Sequence, residues 1–318
     1  MPNWPHEATT TTSGVDSERS FALTPGGLAV TTASMGTFRP LEPLRGWRRL
    51  AIHSWPPPSD PSVYALVDIP MAGALAYLDR LRAETGAHVT VTHLVAKGVA
   101  LALSAFPQMN GIVARGRIML RETVDVFLQV STEGGTDLAG VKVSRVDQKS
   151  VVEIARDADE RVRKLRAHKD EHVERTKGLL NQVPLFLLSP LMRTISYLVY
   201  DLDLDLSRFG VVKDEFGSAM VSNAGSLGVS AAMAPLVPFS RTPMVVLVGQ
   251  VEERVVAEEG KAVVRPMLTL GVTFDHRFMD GFQGGEMIKI CRGFLEDPAA
   301  REGAPARGAP AAGVSASR

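Results

Sequence analysis

Hydrophobic and polar positions repeat with two different periods along the chain, and each period predicts a different element. Three stretches have the spacing of helices. Residues 71–81 are apolar at every third or fourth position before Gly86, which favours a helix end. Residues 90–106 are apolar nearly all round, which predicts a buried helix that Pro107 ends. Residues 151–165 are apolar on one face only and predict an amphipathic helix.

Other stretches have the patterns of strands. Residues 124–130 alternate between apolar and polar positions, and residues 244–251 are continuously apolar. Residues 258–261 read Glu-Glu-Gly-Lys and predict a hairpin turn before a strand at 263–274. A last helix is expected at 284–295. Helices mixed with a large sheet, without a regular alternation of strand and helix, predict an α+β fold.

The two ends of the chain have a different composition from its middle. Residues 1–40 are rich in Thr, Ser, Gly and Pro and predict a flexible N-terminal arm. Residues 41–298 are expected to form the folded domain, and residues 299–318 a disordered tail. Neither end contains a carrier domain in this interpretation.

Composition narrows the class of protein. Lys and Arg together number 35, as do Asp and Glu, so the formal charge is zero and a general nucleic-acid binder is not expected. The single cysteine, Cys291, excludes an intrachain disulfide and predicts buried packing in a reducing compartment.

No secretory signal is visible. The longest apolar stretch, residues 183–200, contains two prolines and an arginine and is too short to predict a membrane span. A cytoplasmic location is expected.

The most informative motif follows the last predicted strand. His276, Asp280 and Gly281 form the pattern H-x-x-x-D-G. An imidazole can exchange one proton near neutral pH, and a nearby carboxylate can orient it, so this spacing is typical of a general-base site. Because the motif is short, it is weak evidence by itself. The segments around it strengthen this interpretation.

Six segments carry a resemblance to a known family. Together they resemble the acyltransferase core of 2-oxo-acid dehydrogenase complexes, which shares its fold with chloramphenicol acetyltransferase. The resemblance implies a two-layer α+β sandwich with a large mixed sheet. The segments are "FPQMNG" (106–111), "VDVFLQVS" (124–131), "VKVSRVDQKSVVEIA" (141–155), "AMVSNAGSLGV" (219–229), "PMVVLVGQVEERVV" (243–256) and "LTLGVTFDHRFMDGFQGGEMIKICRGFLEDP" (268–298).

The resemblance also implies a chemistry. In that family an acyl group moves between coenzyme A, a substrate here, and a dihydrolipoyl-type thiol. His276 would be the general base, and the hydroxyl of Ser222 would stabilise the oxyanion. Asn223 and Gly281 would lie beside coenzyme A, and Gly281 would let the chain turn into the last helix. Asp280 would hold the local structure, paired with Arg49 or else with Arg45 or Arg48.

The family's assembly is implied as well. Each site would lie between two chains of a homotrimer, and trimers could build a cage. Because no lipoyl or subunit-binding domain is visible, the acyl carrier would come from another chain. An alternative is a trimeric or cage-forming scaffold with little or no activity, which the missing carrier domains, the apolar insertion and the flexible ends would favour.

Two regions depart from the family. The strand near residue 140 reads "LAGVKV" instead of the usual Val-Thr-Pro-Val. Residues 177–207 are an apolar insertion, which we interpret as a subunit interface, as intramolecular packing or as a lipid contact, and "DLDLDLS" at its end predicts a half-buried strand.

The pattern H-x-x-E-H at 168–172 resembles a zinc motif, but its charged neighbours predict a solvated helix, so no metal is expected.

Overall fold

The computed structural model describes residues 59–132, 137–166 and 183–302. From Asp60 onward the described residues belong to one compact unit. Within the described residues, seven strands form one sheet in the order β1-β9-β7-β6-β4-β5, and β8 pairs with the first half of β9. The strands of this sheet are β1 (Ser62–Pro70), β4 (Val126–Thr132), β5 (Asp137–Val143), β6 (Ala219–Asn223), β7 (Met244–Val248), β8 (Glu252–Glu258) and β9 (Lys261–Asp275).

The sheet is mixed, and its strand directions decide where the predicted site residues lie. Strands β4, β6 and β7 are parallel to one another, whereas β9 runs antiparallel to β7 and β1 runs antiparallel to β9. The chain ends of β6 and β9 therefore point to opposite ends of the sheet. A separate hairpin consists of β2 (Gly111–Ala114) and β3 (Arg117–Leu120).

Helices cover one face of the sheet. Alternate side chains of β9, among them Leu268 and Leu270, point into this layer and are 0% and 2% exposed. They pack with Leu94 and Phe294 of two of the helices in one core. Burial of this apolar area is the main term that stabilises the fold. The helices are α1 (Ala72–Thr85), α2 (Val91–Ala105), α3 (Val151–Arg166), α4 (Leu185–Ser196), α5 (Gly281–Glu296) and α6 (Pro298–Arg301).

A segment of irregular chain crosses the other face of the sheet. It approaches so closely that side chains would not fit at two positions. A Cβ atom on Gly249 would lie 2.0 Å from the carbonyl oxygen of Ser230, and one on Gly271 would lie 1.8 Å from that of Ala232. Glycine at both positions lets residues 230–237 lie on the sheet, where they cover a small second core of Phe127, Met220 and Val245.

The helices and strands predicted from local pattern are confirmed, except the strand predicted at "DLDLDLS". Helix α1 ends at Gly86, whose φ of 64° is in the left-handed region that glycine favours. Helix α2 spans the predicted buried stretch, and α3 and α5 occupy the predicted amphipathic segments. Glu259 and Gly260, with φ of 49° and 78°, form the tight turn between β8 and β9. Cys291 is buried, as expected, and burial raises the pKa of its thiol to about 12.

Two expectations need correction, and some elements were not predicted. Residues 201–206 do not form a strand, because Asp203 takes a φ of 58° and Leu202 and Leu204 are exposed. The predicted tail begins too early, because residues 298–301 form α6 and the Glu302 carboxylate accepts a hydrogen bond of 2.8 Å from the backbone of Val151. The strand β1 and the hairpin β2–β3 were not predicted as elements.

Several predictions lie outside the described residues. These are the N-terminal arm, the turn at Gly134 and Gly135, the charged pattern at 168–172 and most of the C-terminal tail. No helix in the described part of the chain combines the length and the apolar character that crossing a membrane requires.

Candidate active site

His276 follows the last residue of β9 and is held by the backbone on two sides. Its amide donates a 2.9 Å hydrogen bond to the carbonyl oxygen of Pro61. Its Nδ1 lies 2.8 Å from the carbonyl oxygen of Met279. A carbonyl oxygen can only accept, so Nδ1 carries the proton, and Nε2 of the neutral ring keeps its lone pair. The side chain is exposed in the single chain. An imidazole in this tautomer can accept a proton at Nε2.

The residues on either side of His276 form an ion pair that sequence reasoning missed. Asp275 is 4% exposed. It accepts from Nη2 of Arg277 at 2.6 Å, from Nε at 2.9 Å and from the backbone amide of Arg277 at 2.9 Å. These hydrogen bonds raise the pKa of the Arg277 guanidinium. The pair closes a short loop around His276 and fixes its backbone. The sequence Asp-His-Arg, in which residues of opposite charge flank the histidine, was the signal that could have revealed this ion pair.

Asp280 is the N-cap of α5. Its Oδ1 accepts from the amide of Phe282 at 2.8 Å and from that of Gln283 at 3.3 Å, and the Gln283 side chain accepts from the amide of Asp280 at 2.9 Å. This reciprocal arrangement is a capping box. The carboxylate thus has a structural role at this position. Its predicted partner Arg49, like Arg45 and Arg48, lies outside the described residues.

Gly281 is the first residue of α5, and its expected role in the turn is not seen. Its φ is not among the positive values, and a Cβ atom there would meet nothing within 4 Å. The cap made by Asp280, and not a flexible glycine, turns the chain into α5. The space beside the Cα atom of Gly281 is open in the single chain.

Ser222 and Asn223 end β6. Ser222 is half-buried and lies between Gln129 of β4 and Leu247 of β7 in the sheet. The Nδ2 of Asn223 donates 2.9 Å to the hydroxyl of Thr92 at the start of α2, and its Oδ1 accepts 3.0 Å from the amide of Ser226. The Asn223 side chain therefore ties the strand end to the helix layer. Thr92 had not been singled out, because it lies 131 positions away in sequence.

Within one chain, Ser222 and His276 cannot meet. Ser222 is level with Leu247, and Leu247 is level with Gly271 on β9. His276 lies five residues beyond Gly271. At about 3.3 Å per residue the two groups are about 17 Å apart along the strands, before the distance across two strands is added. If both groups serve one reaction, the second one must come from another copy.

No group of three or more His, Cys, Asp or Glu side chains within the described ranges is arranged to hold a metal ion. Two histidines that sequence reasoning had weighed, His168 and His172, belong to residues that the structure does not describe.

Comparison with known proteins places these features in a family. The model of the 2-oxoacid dehydrogenases acyltransferase (catalytic domain) family matches residues 57–180 and 213–301, which is more than half of the chain. The unmatched residues between these two parts overlap most of the predicted insertion.

Two curated relatives illustrate the similarity. The lipoamide acyltransferase component of the branched-chain alpha-keto acid dehydrogenase complex of Bacillus subtilis is 22% identical over 242 residues, 74% of this chain and 47% of the relative. The mitochondrial dihydrolipoyllysine-residue succinyltransferase component of the 2-oxoglutarate dehydrogenase complex of Saccharomyces cerevisiae is 25% identical over 222 residues, 70% of this chain and 39% of the relative. The chain therefore spans less than half the length of these relatives.

Solved structures share the fold. The cubic core of the pyruvate dehydrogenase multienzyme complex aligns with a TM-score of 0.57 at 20% identity, over 84% of this chain and 96% of that one. The dihydrolipoamide acetyltransferase of Azotobacter vinelandii aligns with a TM-score of 0.56 at 20% identity, over 76% of this chain and 84% of that one. The predicted α+β fold with its large mixed sheet is confirmed. This chain belongs to the family of 2-oxoacid dehydrogenase acyltransferase catalytic domains.

Proposed function

We propose that this protein is a coenzyme A-dependent acyltransferase that moves an acyl group between coenzyme A and a dihydrolipoyl-type thiol. The acceptor thiol loses its proton to the base and its sulfur attacks the thioester carbonyl. A tetrahedral intermediate forms, the bond to the coenzyme A sulfur breaks, and the leaving thiolate receives the proton. A new thioester and free coenzyme A result, so no oxidant or reductant is required.

The single observation that carries this proposal is the hydrogen bond from Nδ1 of His276 to the carbonyl oxygen of Met279. It fixes the tautomer in which Nε2 is the base. Because the acceptor is a backbone atom next to a capped helix, the ring is oriented before substrate binds. A positioned general base contributes roughly 10²- to 10⁴-fold to a rate.

The oxyanion of the intermediate would be stabilised by the hydroxyl of Ser222 from a neighbouring copy. The strand directions support this arrangement, since His276 and Ser222 lie at opposite ends of one sheet. In this proposal the protein is a homotrimer with one site at each of its interfaces. Asn223 and the open space at Gly281 would lie beside coenzyme A, and Arg49 would pair with Asp280.

The wider assembly belongs to the same proposal. One of the solved structures that shares the fold is the cubic core of a multienzyme complex, which supports a cage built from trimers. The acyl carrier would be supplied by another chain, and the complex would work in the cytoplasm without a metal ion.

An acyl-transfer assay tests the function. The protein is incubated with dihydrolipoamide and either acetyl-CoA or isobutyryl-CoA, and free coenzyme A is measured. His276→Ala should lower kcat by about 10²-fold or more. His88→Ala removes another exposed histidine and should leave kcat unchanged. Equal rates for the wild type and His276→Ala would contradict the proposal and favour the scaffold.

A further inference from the structure

Helix α4 lies in the part of the chain that the family model does not match, and its outer side is apolar and exposed. The side chains of Phe186 and Tyr197 are 78% and 54% exposed. They are separated by about three helical turns, so they lie on the same side of the helix. Pro190 lies between them on that side and is exposed as well. Soluble proteins seldom leave such a group of large apolar side chains in water unless it makes a contact.

The inner side of α4 holds the helix on the domain. Met192 and Ile195 line an apolar crevice of about 110 Å³ together with Phe239. The hydroxyl of Ser196 accepts a 3.3 Å hydrogen bond from Nε of Arg241. These contacts fix α4 from one side only. The exposed side chains on its outer side are therefore not required for packing within the chain.

The outer side of α4 carries one charge, and it is positive. The helix contains no Asp or Glu. Arg193 lies about two turns after Phe186, on the same side of the helix, and is exposed. It makes no ion pair with any other described residue. We call Phe186, Pro190, Arg193 and Tyr197 together the outer face of α4. This face combines apolar side chains with an uncompensated cation.

The acidic residues that follow α4 do not offset this cation. Three aspartates lie in the run after the helix, and each has its own cation nearby. The pairs are Asp201 with Arg241, Asp203 with Lys213 and Asp205 with Arg208. The charges of these aspartates are therefore matched without Arg193.

The neighbouring hairpin β2–β3 adds positive charge. It lines a groove together with Tyr200 and Asp201 at the end of the insertion. Arg115 and Arg117 flank the turn of the hairpin, and neither forms an ion pair within the described part of the chain. Glu122 is the one carboxylate among the described lining residues that has no cationic partner. The surface beside α4 is therefore positive on balance, which favours an anionic partner.

The size and shape of the outer face favour a lipid surface over a second copy of the chain. With about 250 Å² for a fully exposed aromatic side chain, Phe186 and Tyr197 expose about 330 Å² together. A stable protein interface buries about 800 Å² on each partner. The outer face is also a convex ridge on one helix and offers no pocket to a partner side chain. Lipid headgroups and acyl chains can rearrange around such a ridge.

We propose that the outer face of α4 binds the surface of an anionic lipid bilayer. Phe186 and Tyr197 enter the boundary between headgroups and acyl chains, and Arg193 lies against the lipid phosphates. The helix lies parallel to the bilayer, because its length of about 18 Å is much shorter than the apolar layer of about 30 Å. This contact is independent of the proposed acyl transfer.

Sedimentation with vesicles tests the proposal. The full chain is mixed with vesicles of phosphatidylcholine alone or of equal parts phosphatidylcholine and phosphatidylglycerol, and the sedimented protein is measured. It should bind the vesicles with phosphatidylglycerol at least about tenfold more tightly, since about 1 kcal/mol is gained for each arginine near an anionic surface. Salt at about 1 M should remove most of this preference, because it screens charges beyond about 3 Å.

Two variants change the outer face without touching the interior. Phe186→Ser should lower the lipid partition constant by about tenfold, since one large apolar side chain no longer leaves water. Phe282→Ser is its matched control, because Phe282 is 69% exposed on α5 and should not contribute. Arg193→Gln should weaken binding to the anionic vesicles by about fivefold. Its control is Arg156→Gln, which removes an exposed arginine of α3 and should bind as the wild type does.

Three results would overturn the proposal. The first is a wild type that sediments with neither kind of vesicle. The second is equal binding by Phe186→Ser and Phe282→Ser. The third comes from light scattering without lipid, in which the wild type and Phe186→Ser should have the same mass. A smaller mass for Phe186→Ser would assign the outer face to a second copy of the chain. Each of these results leaves the proposed acyl transfer standing.

Discussion

His276 and Ser222 lie at opposite ends of one sheet, and the chain holds them in different ways. His276 lies just beyond its strand, and backbone carbonyls of Pro61 and Met279 hold it on two sides. Ser222 lies within its strand and is held by the sheet itself, with Asn223 anchored to Thr92 on α2. One end depends on loop contacts and a helix cap, and the other depends on the sheet and the N-terminus of a buried helix.

The difference fits the roles proposed for the two groups. A base must present one nitrogen in one tautomer, and a backbone carbonyl can specify that nitrogen at no cost in net charge. An oxyanion donor needs only a fixed position for its hydroxyl, which a central strand provides. Each end can therefore be weakened separately by changes that leave the other end intact.

The largest effect is expected at the Ser222 end. Ser222→Ala should lower kcat by about 10²- to 10³-fold, because one oxyanion donor is lost. The KM for the acyl-CoA should change little, since the interaction is made mainly in the transition state. Steady-state kinetics with varied acyl-CoA measure both constants. Ser226→Ala, a change in the exposed loop after β6, is the control and should retain a kcat within a few-fold of wild type. A Ser222→Ala variant with wild-type kcat would remove this serine from the site.

Low pH should lower the stability of the folded protein through His93, which lies at the start of α2. This residue is 7% exposed, and its Nδ1 accepts 3.2 Å from the amide of Thr90 at the start of α2. Burial lowers the pKa of His93 to about 4. An unfolded histidine titrates near 6.5. Between these values the unfolded chain binds the extra proton, so the free energy of unfolding falls as pH decreases from about 6.5 to about 4. The expected loss is about 3 kcal/mol.

Urea unfolding at pH 7 and pH 4.5 measures this effect. His93→Gln keeps an acceptor in the capping box but cannot bind a proton. This variant should lose less stability on acidification than the wild type does. His88→Gln, a change at an exposed position nearby, should behave as the wild type. Equal pH dependence in all three proteins would show that the buried histidine does not carry the effect.

The smallest effect is expected at the cap of α5, near His276. Asp280→Ala should lower the free energy of unfolding by about 1 kcal/mol, since two amides lose their acceptor. Asp280→Asn keeps that acceptor and should lose only a few tenths of this amount. Chemical denaturation of both variants separates them. Equal losses would instead point to the charge of the carboxylate, and hence to an ion pair such as the one expected with Arg49.

Sequence reasoning reached the elements whose signals are local. The helix stop at Gly86 and the turn at Glu259 and Gly260 each depend on a few neighbouring residues. Strand β1 was missed because Tyr64 and Leu66 are apolar on its outer, exposed face, which hides the alternation. What stabilises β1 is its antiparallel pairing with β9, and β9 lies about 200 positions further along the chain.

The candidate site shows the same difference between local signals and contacts that join distant segments. His276 and Asp280 were found from one short motif. Two contacts between distant segments were not found: Asn223 with Thr92, and Arg241 with Asp201. The alternation "DLDLDLS" was misinterpreted as a strand for a related reason. The side chain of Asp201 pairs with Arg241, and the backbone turns at Asp203 instead of extending.

The proposed mechanism requires a site built from two copies of the chain, and mixing two inactive variants tests this requirement most directly. His276→Ala and Ser222→Ala chains are unfolded together, refolded as a mixture and assayed for acyl transfer, beside each variant refolded alone. Mixed trimers contain interfaces at which an intact histidine meets an intact serine. Activity in the mixture should therefore rise to a substantial fraction of the wild-type rate, while each variant alone stays inactive. A mixture that contains mixed trimers and stays as inactive as its parents would contradict the shared site.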